Sequence, residues 1–250
     1  MVTRKSPAQI AIMRRAGRVV AEMHECCIRA ARPGATTLDV DAVAREVLAR
    51  RGARSNFLGY HGFPAVVCTS PNDVIVHGIP SPDVVLAEGD ILSIDCGAIV
   101  EGWHADAAVT VPIGDVDDQS RRLIEVTRAS LEAAIEQVEE GNHVGDVGAA
   151  VEGIAEAAGF SVVREYVGHG IGTAMHEEPS VPNHGPRGRG LRLRTGHVLA
   201  IEPMVNVGRR GTEVLADGWT VVTRDHSRSA HFEHTVAVTD HGPEVLTLPW

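Results

Sequence analysis

The sequence predicts an α+β protein in which a helix–helix–strands order occurs twice. Two helical stretches precede a block of apolar, strand-like runs. A second helical pair follows that block, and strand-like runs resume from Phe160 onward. Helices and strands grouped in this way read as α+β.

The first helix opens at Ser6-Pro7, a capping residue followed by proline at the first helical position. Ile10, Met13, Val19, Val20 and Met23 then recur at helical spacing until Pro33-Gly34. A second helix opens at Thr37 and runs through Val40, Val43, Val47 and Leu48 to Gly52. Strand-like runs follow at Ala65–Thr69, Val74–Val76, Asp90–Val100 and Trp103–Val111. The helical pattern returns at Asp117–Val138 and at His143–Ala158, ending at Gly159. Aligning Gly34–Gly52 with Gly141–Gly159 matches Gly34/Gly141, Asp39/Asp146, Val40/Val147, Ala42/Ala149 and Gly52/Gly159. With the repeated element order, this points to an internal duplication, with halves at roughly 1–112 and 113–250 of one domain. Pro182–Gly196 reads as a surface loop whose Arg187, Arg189, Arg192 and Arg194 are solvated.

Composition narrows the function. A 250-residue chain with 44% hydrophobic residues has ample material for a core. A formal net charge of -10 argues against general nucleic-acid binding, which needs clustered cations to neutralise phosphates. Cys26, Cys27, Cys68 and Cys96 show neither CxxC spacing nor a secreted disulfide framework. With no apolar signal core and no run near the roughly 20 residues of a membrane span, a cytoplasmic location is expected.

Five metal-capable side chains, each in a short motif, carry the chemistry. They are Asp95 in Ser-Ile-Asp-Cys-Gly, Asp106 in His-Ala-Asp, His169 in Gly-His-Gly-Ile-Gly, Glu202 in Ile-Glu-Pro-Met and Glu233 in Phe-Glu-His-Thr. Four carboxylates with one imidazole form a hard, oxygen-rich set that suits a pair of divalent first-row ions. Two such ions activate water and clamp a tetrahedral intermediate, so the chain reads as a dinuclear metallohydrolase. Glu101-Gly102 is a hairpin turn. A two-residue loop at Val100-Glu101 would pair Asp95 directly with Asp106, whereas centring it one residue later makes them diagonal neighbours on one face. Either placement sets two carboxylates together among apolar residues, a repulsion that a divalent cation relieves. The glycines around His169 are expected to let metal or substrate approach the backbone. His24, His61, His143, His184, His197 and His241 are given ordinary structural roles.

These motifs, with Asn72-Asp-Val-Ile-Val-His-Gly-Ile-Pro80, His176-Glu-Glu-Pro179, Glu202-Pro-Met-Val-Asn206 and Asp217-Gly-Trp-Thr-Val-Val-Thr223, resemble type I methionine aminopeptidases over essentially the whole chain. The resemblance implies the pita-bread (creatinase/aminopeptidase) fold, with pseudo-twofold α-α-β halves and a curved antiparallel sheet covered by helices. It implies that Asp106 and Glu233 bridge two divalent ions (Co, Mn, Fe or Zn), with Asp95 completing one site and His169 and Glu202 the other. Metal-activated water would attack the first peptide bond, with Glu202 as proton acceptor. His77 and His176 match the non-ligand histidines that contact the scissile amide and intermediate. Tyr60, Phe63, Cys68, Met175 and Trp219 match the methionine pocket. Phe57 stands where some relatives carry a smaller cysteine. Asn72, Val74 and Ser229 match positions holding one Na or K ion in some relatives. The implied activity is removal of initiator methionine before a small second residue. Nascent N-termini near the ribosome exit tunnel are the implied partners, with no membrane and a monomeric state. The rivals are an Xaa-Pro aminopeptidase with the same ligands and a non-catalytic binding module on the same fold.

Overall fold

The computed structural model describes residues 2–249 and contains two helix pairs backed on antiparallel sheets. Helices α1 (Pro7–Ala30) and α2 (Thr37–Arg51) precede the first hairpin, and α3 (Asp118–Ile135) and α4 (Val144–Ala157) follow it. Ser6 caps α1 through a reciprocal bond pair with Gln9, and Thr36 caps α2 in the same way with Asp39. Gly52 ends α2 at φ 62°, in the left-handed region where a Cβ is disfavoured.

The first hairpin pairs Ile91–Val100 with Trp103–Pro112, turning at Glu101-Gly102 with φ 51° and 81°. Positive φ at both central residues matches the right-handed twist of the strands. Alternation then assigns the faces. Leu92, Ile94, Cys96 and Ala98, with Ala105 and Ala107 opposite, pack beneath α1 and α2 against Val20, Met23, Val40, Ala44 and Val47. Each fully buried leucine or isoleucine here contributes roughly 1.5–3 kcal/mol. Asp95, Gly97 and Asp106 are left on the opposite face.

In the second half the sheet runs in the order Gly242–Val245, His234–Thr239, Val198–Ile201, Gly168–Gly170, Glu177–Val181, and α3 and α4 cover its apolar side. An isolated antiparallel bridge between Ala108 and Glu233 joins the first hairpin to this half. Ile10 and Met13 of α1 cross over to pack on Ile171, Val198 and Ala237. No helix among the described residues is long and apolar enough to cross a membrane.

Candidate active site and metal centre

The hairpin register decides how the first two carboxylates meet. Gly97 lies opposite Asp106 and Asp95 opposite Ala108, so the two acids are diagonal neighbours; the direct pairing is not the one formed. The turn explains the choice, since the residues able to adopt positive φ are Glu101 and Gly102. Across from Asp106, a side chain at Gly97 would strike Asn56, whose Nδ2 donates to the Ala105 carbonyl at 3.0 Å.

The second half brings the other three ligand candidates. The Ala108–Glu233 bridge, with Glu233 N donating to Ala108 O at 2.8 Å, holds Glu233 beside Asp106. His169 pairs with Ala200 in the sheet, and Glu202 leaves the end of that neighbouring strand. Ligand atoms of Asp106, His169 and Glu233 all lie within 4.8 Å of one another. His169 Nε2 is 3.6 Å from Glu202 Oε1, while its Nδ1 is 2.9 Å from the Gly170 carbonyl. That carbonyl can only accept, so Nδ1 carries the proton and Nε2 offers a lone pair to the cluster.

This arrangement is electrostatically unfavourable on its own. Burial pushes Asp95 up to about 7, the neighbouring Asp106 hydrogen bond opposing the rise. Asp106 is driven well above the usual carboxylate range by burial and then by Asp95 and Glu202. Glu202 rises for the same reasons, burial and then Asp95. Glu233 rises through burial, then Asp106, Glu202 and Asp95. Asp95 Oδ1, Asp106 Oδ1 and Glu233 Oε1 are buried without any hydrogen-bond partner. Buried acceptors of this kind normally find one.

A cavity of about 260 Å³ opens on the cluster. Its wall is apolar: Phe57, Phe63, Cys68 and Met175 are buried together, with Tyr60 and Trp219 against them. Phe63 meets Trp219 edge-on at 5.1 Å and Phe57 at 6.4 Å between ring centroids. His77 stands between Trp219 at 6.2 Å and Tyr166 at 5.8 Å, on a backbone with φ 61°. Strain at a non-glycine residue of this type concentrates at working sites. Desolvation in the cleft, then His176, lowers His77 to about 4. His176 packs 4.2 Å from the His169 ring, and desolvation and His61 lower its pKa too. The loop behind His176 is anchored by Glu177, which accepts from Lys5 Nζ at 2.8 Å and from the Thr173 and Ala174 amides.

Some expectations change. His61, given an ordinary structural role, lines the cavity beside Tyr60. The glycines flanking His169 serve strand packing, not ligand approach: a Cβ on Gly168 would lie 2.3 Å from Ala200 O, and one on Gly170 2.2 Å from Glu178 O. His231, which no motif singled out, is buried with Nε2 unpartnered and 3.9 Å from Glu202 Oε2. Asn72 and Ser229 do meet, but through Ser229 N donating to Asn72 O at 2.8 Å, and Val74 sits in a strand paired with Val222. His24, by contrast, is a packing residue, its Nε2 3.2 Å from Ile94 O.

Residues 11–240 match the model of metallopeptidase family M24. The chain belongs to that family. It is 48% identical to a methionine aminopeptidase of Clostridium acetobutylicum over 99% of both chains. It is 49% identical to methionine aminopeptidase 1 of Mycobacterium tuberculosis, covering 99% of this chain and 96% of that one. The crystal structure of methionine aminopeptidase from Thermotoga maritima superposes with a TM-score of 0.98 at 43% identity, over 99% of this chain and all of that one. A prolidase from Pyrococcus horikoshii, 21% identical, shares the fold with a TM-score of 0.79 over 99% of this chain and 64% of its own. The pita-bread architecture is therefore that of this M24 chain. Family membership implies divalent-metal binding, and the donor set fits: acceptor oxygens orphaned in a buried, mutually repelling cluster are what a divalent cation satisfies.

Proposed function

We propose that the chain is a metal-dependent aminopeptidase that removes N-terminal methionine from peptides with a small second residue. One observation carries this reading: a single cavity joins an apolar, thioether-sized wall to the five-residue ligand cluster. An unbranched, polarisable side chain fills such a wall with little strain. The full-length likeness to methionine aminopeptidases supports the same substrate, and the prolidase likeness supports the fold alone.

Asp95, Asp106, His169, Glu202 and Glu233 would hold two divalent ions, and their oxygen-rich composition admits Mn, Fe, Co or Zn. Bound there, such ions supply Lewis acidity and lower the pKa of water. Glu202, with one oxygen toward His169 and the other toward His231, takes a proton from the attacking water. His176 donates to the carbonyl oxygen as charge grows on it, and His77 contacts the scissile amide. Phe57, Tyr60, Phe63, Cys68, Met175 and Trp219 hold the methionine side chain and exclude water from it. Asn72, Val74 and Ser229 offer oxygens for a Na or K ion. Residues 1–250 act as one catalytic domain of two halves, 1–112 and 113–250, on nascent N-termini near the ribosome exit tunnel, as a monomer.

Steady-state hydrolysis of Met-Ala-Ser, Met-Leu-Ser and Ala-Pro peptides by metal-loaded protein tests the assignment. Met-Ala-Ser should be cleaved far faster than the other two. Equal rates on the two methionine peptides remove the small-residue rule, and preference for Ala-Pro replaces the activity with that of an Xaa-Pro aminopeptidase.

A further inference from the structure

We infer that Tyr60 is a positioning residue for His176: its hydroxyl donates to Nδ1 of the imidazole and so fixes Nε2–H as the donor presented to the scissile carbonyl. The inference rests on the proposed role of His176 and adds what makes that role possible.

The contact is direct. Tyr60 Oη lies 2.7 Å from His176 Nδ1, and the two rings are 5.4 Å apart. Among the described residues, this is the hydrogen bond that orients the His176 ring. An uncharged imidazole has one donor nitrogen and one acceptor nitrogen, and the partner of one decides the proton on the other. A phenol shares its oxygen lone pair with its ring, which makes it a better donor than acceptor. An unprotonated imidazole nitrogen is a strong acceptor. The favourable arrangement is therefore O–H to Nδ1, with the remaining ring proton on Nε2. The opposite tautomer would present a lone pair to the carbonyl oxygen and repel it.

Two further observations separate this role from simple pocket lining. Phe57 and Phe63 line the same wall with no hydroxyl, so apolar contact with substrate does not explain the one on Tyr60. The segment bearing Tyr60 is also locked into an unusual shape. Gly59, His61 and Gly62 all have positive φ (83°, 46° and 89°), and His61 holds that conformation with a full side chain. Amide bonds close the loop on itself: Tyr60 N donates to Phe57 O at 2.9 Å, Gly59 N to Phe63 O at 2.8 Å and Phe63 N to Tyr60 O at 2.9 Å. Ser55 Oγ receives the Phe57 and Leu58 amides. A loop over-determined in this way, with a single 3-10 turn at Tyr60–Gly62, holds its side chain on target without a longer helix or strand beneath it.

Tyr60→Phe keeps the ring in the wall and deletes the bond. In metal-loaded enzyme acting on Met-Ala-Ser, kcat should fall roughly tenfold, the scale of one lost hydrogen bond, with KM and metal stoichiometry unchanged. In a His176→Ala background the same substitution should have no further effect on kcat. A second readout is independent of turnover: proton–nitrogen correlation spectra of the histidine rings in zinc-loaded protein, with the His176 signals identified by their loss in His176→Ala. These should show Nε2–H in the native protein and a tautomer mixture in Tyr60→Phe. An Nδ1–H ring in the native protein, a change in KM alone, or an undiminished Tyr60→Phe effect without His176 each overturns the inference. Full activity in His176→Ala instead overturns the carbonyl role itself. Impaired His176→Ala with unimpaired Tyr60→Phe sinks only the part assigned to Tyr60.

Discussion

The floor of the cleft is carried by paired strands, whereas much of its wall is carried by loops. Asp95 and Asp106 sit in a ten-residue hairpin ladder, and His169 in a strand flanked on both sides. Tyr60, Met175, His176 and Trp219 hang from turns and loops tied down by bonds within each loop and by a few long-range contacts such as Lys5 to Glu177. The materials differ as well. The floor gathers like charges that destabilise the metal-free fold, and the wall gathers apolar area that stabilises it. Substitutions in the two regions should therefore move activity and stability in different combinations.

The largest effect belongs to the floor. Asp106→Asn keeps the shape of the side chain but removes the charge of a proposed metal ligand. Losing an outer partner of a metal ligand already costs about 10–100-fold, so losing the ligand should cost roughly 1000-fold or more in kcat/KM, with bound metal depleted. The same change relieves a buried, repelling carboxylate, so the metal-free variant should melt higher than the metal-free native protein. Native metal content, or a lower melting point in chelator, would break the contrast between floor and wall.

His176→Ala comes next. It should retain metal and lose about 10²–10³-fold in kcat, the size seen when one donor to a developing oxyanion is removed. Trp219→Ala probes the wall itself. Trp219 packs on Phe63 and beside His77. Removing it should raise KM for methionine peptides and lower kcat/KM by roughly tenfold or more, as expected for about 1.5–3 kcal/mol of lost apolar contact. Metal content should not change. Depletion of metal in this variant would show that the wall supports the floor directly.

The same division marks what the sequence could and could not reveal. The acidic ligand candidates drew notice because a carboxylate beside Ile94 and Cys96, or within Phe232-Glu-His, has no comfortable place in an apolar run without a partner. The hairpin was legible from Glu101-Gly102, and the diagonal relation of Asp95 to Asp106 followed once the turn was centred there. Helix ends were legible where a capping residue or a closing glycine marked the run, as at Ser6 and Gly52. Contacts between distant loops were not. Nothing near Tyr60 announces His176, 116 residues away. Lys5 and Glu177 join through a bond that spans 172 residues. The glycines beside His169 looked like openings for a ligand because a sequence cannot show which neighbouring strand will occupy the space of a missing Cβ. His231 was silent for a related reason, since its meaning lies in the Glu202 oxygen 3.9 Å away.

The smallest effect, a pH dependence, tests the charge argument most directly. A carboxylate whose folded pKa is raised binds more protons in the native state than in the unfolded one, so stability falls as pH rises through that window. Asp95, Asp106, Glu202 and Glu233 all have this sign. The buried histidines have the other sign. His24, His77, His169 and His234 lie near 4 and His231 near 3, so their contribution is complete once the pH exceeds the unfolded histidine value and is lost only on acidification. Between about pH 7 and pH 8.5 the histidines are largely neutral in both states, so the carboxylates should tilt the curve. The burial-raised thiols of Cys68 and Cys96 add the same sign toward the alkaline end. Metal-free protein should therefore lose a few degrees of melting temperature across that interval, at roughly 2–4 °C per kcal/mol for a chain of this size. Adding a divalent ion should raise the melting temperature most at the alkaline end, where the acids are most charged and have most to gain from it. A metal-free melting temperature that rises with pH over this range would mean that the four carboxylates do not repel one another as their burial requires.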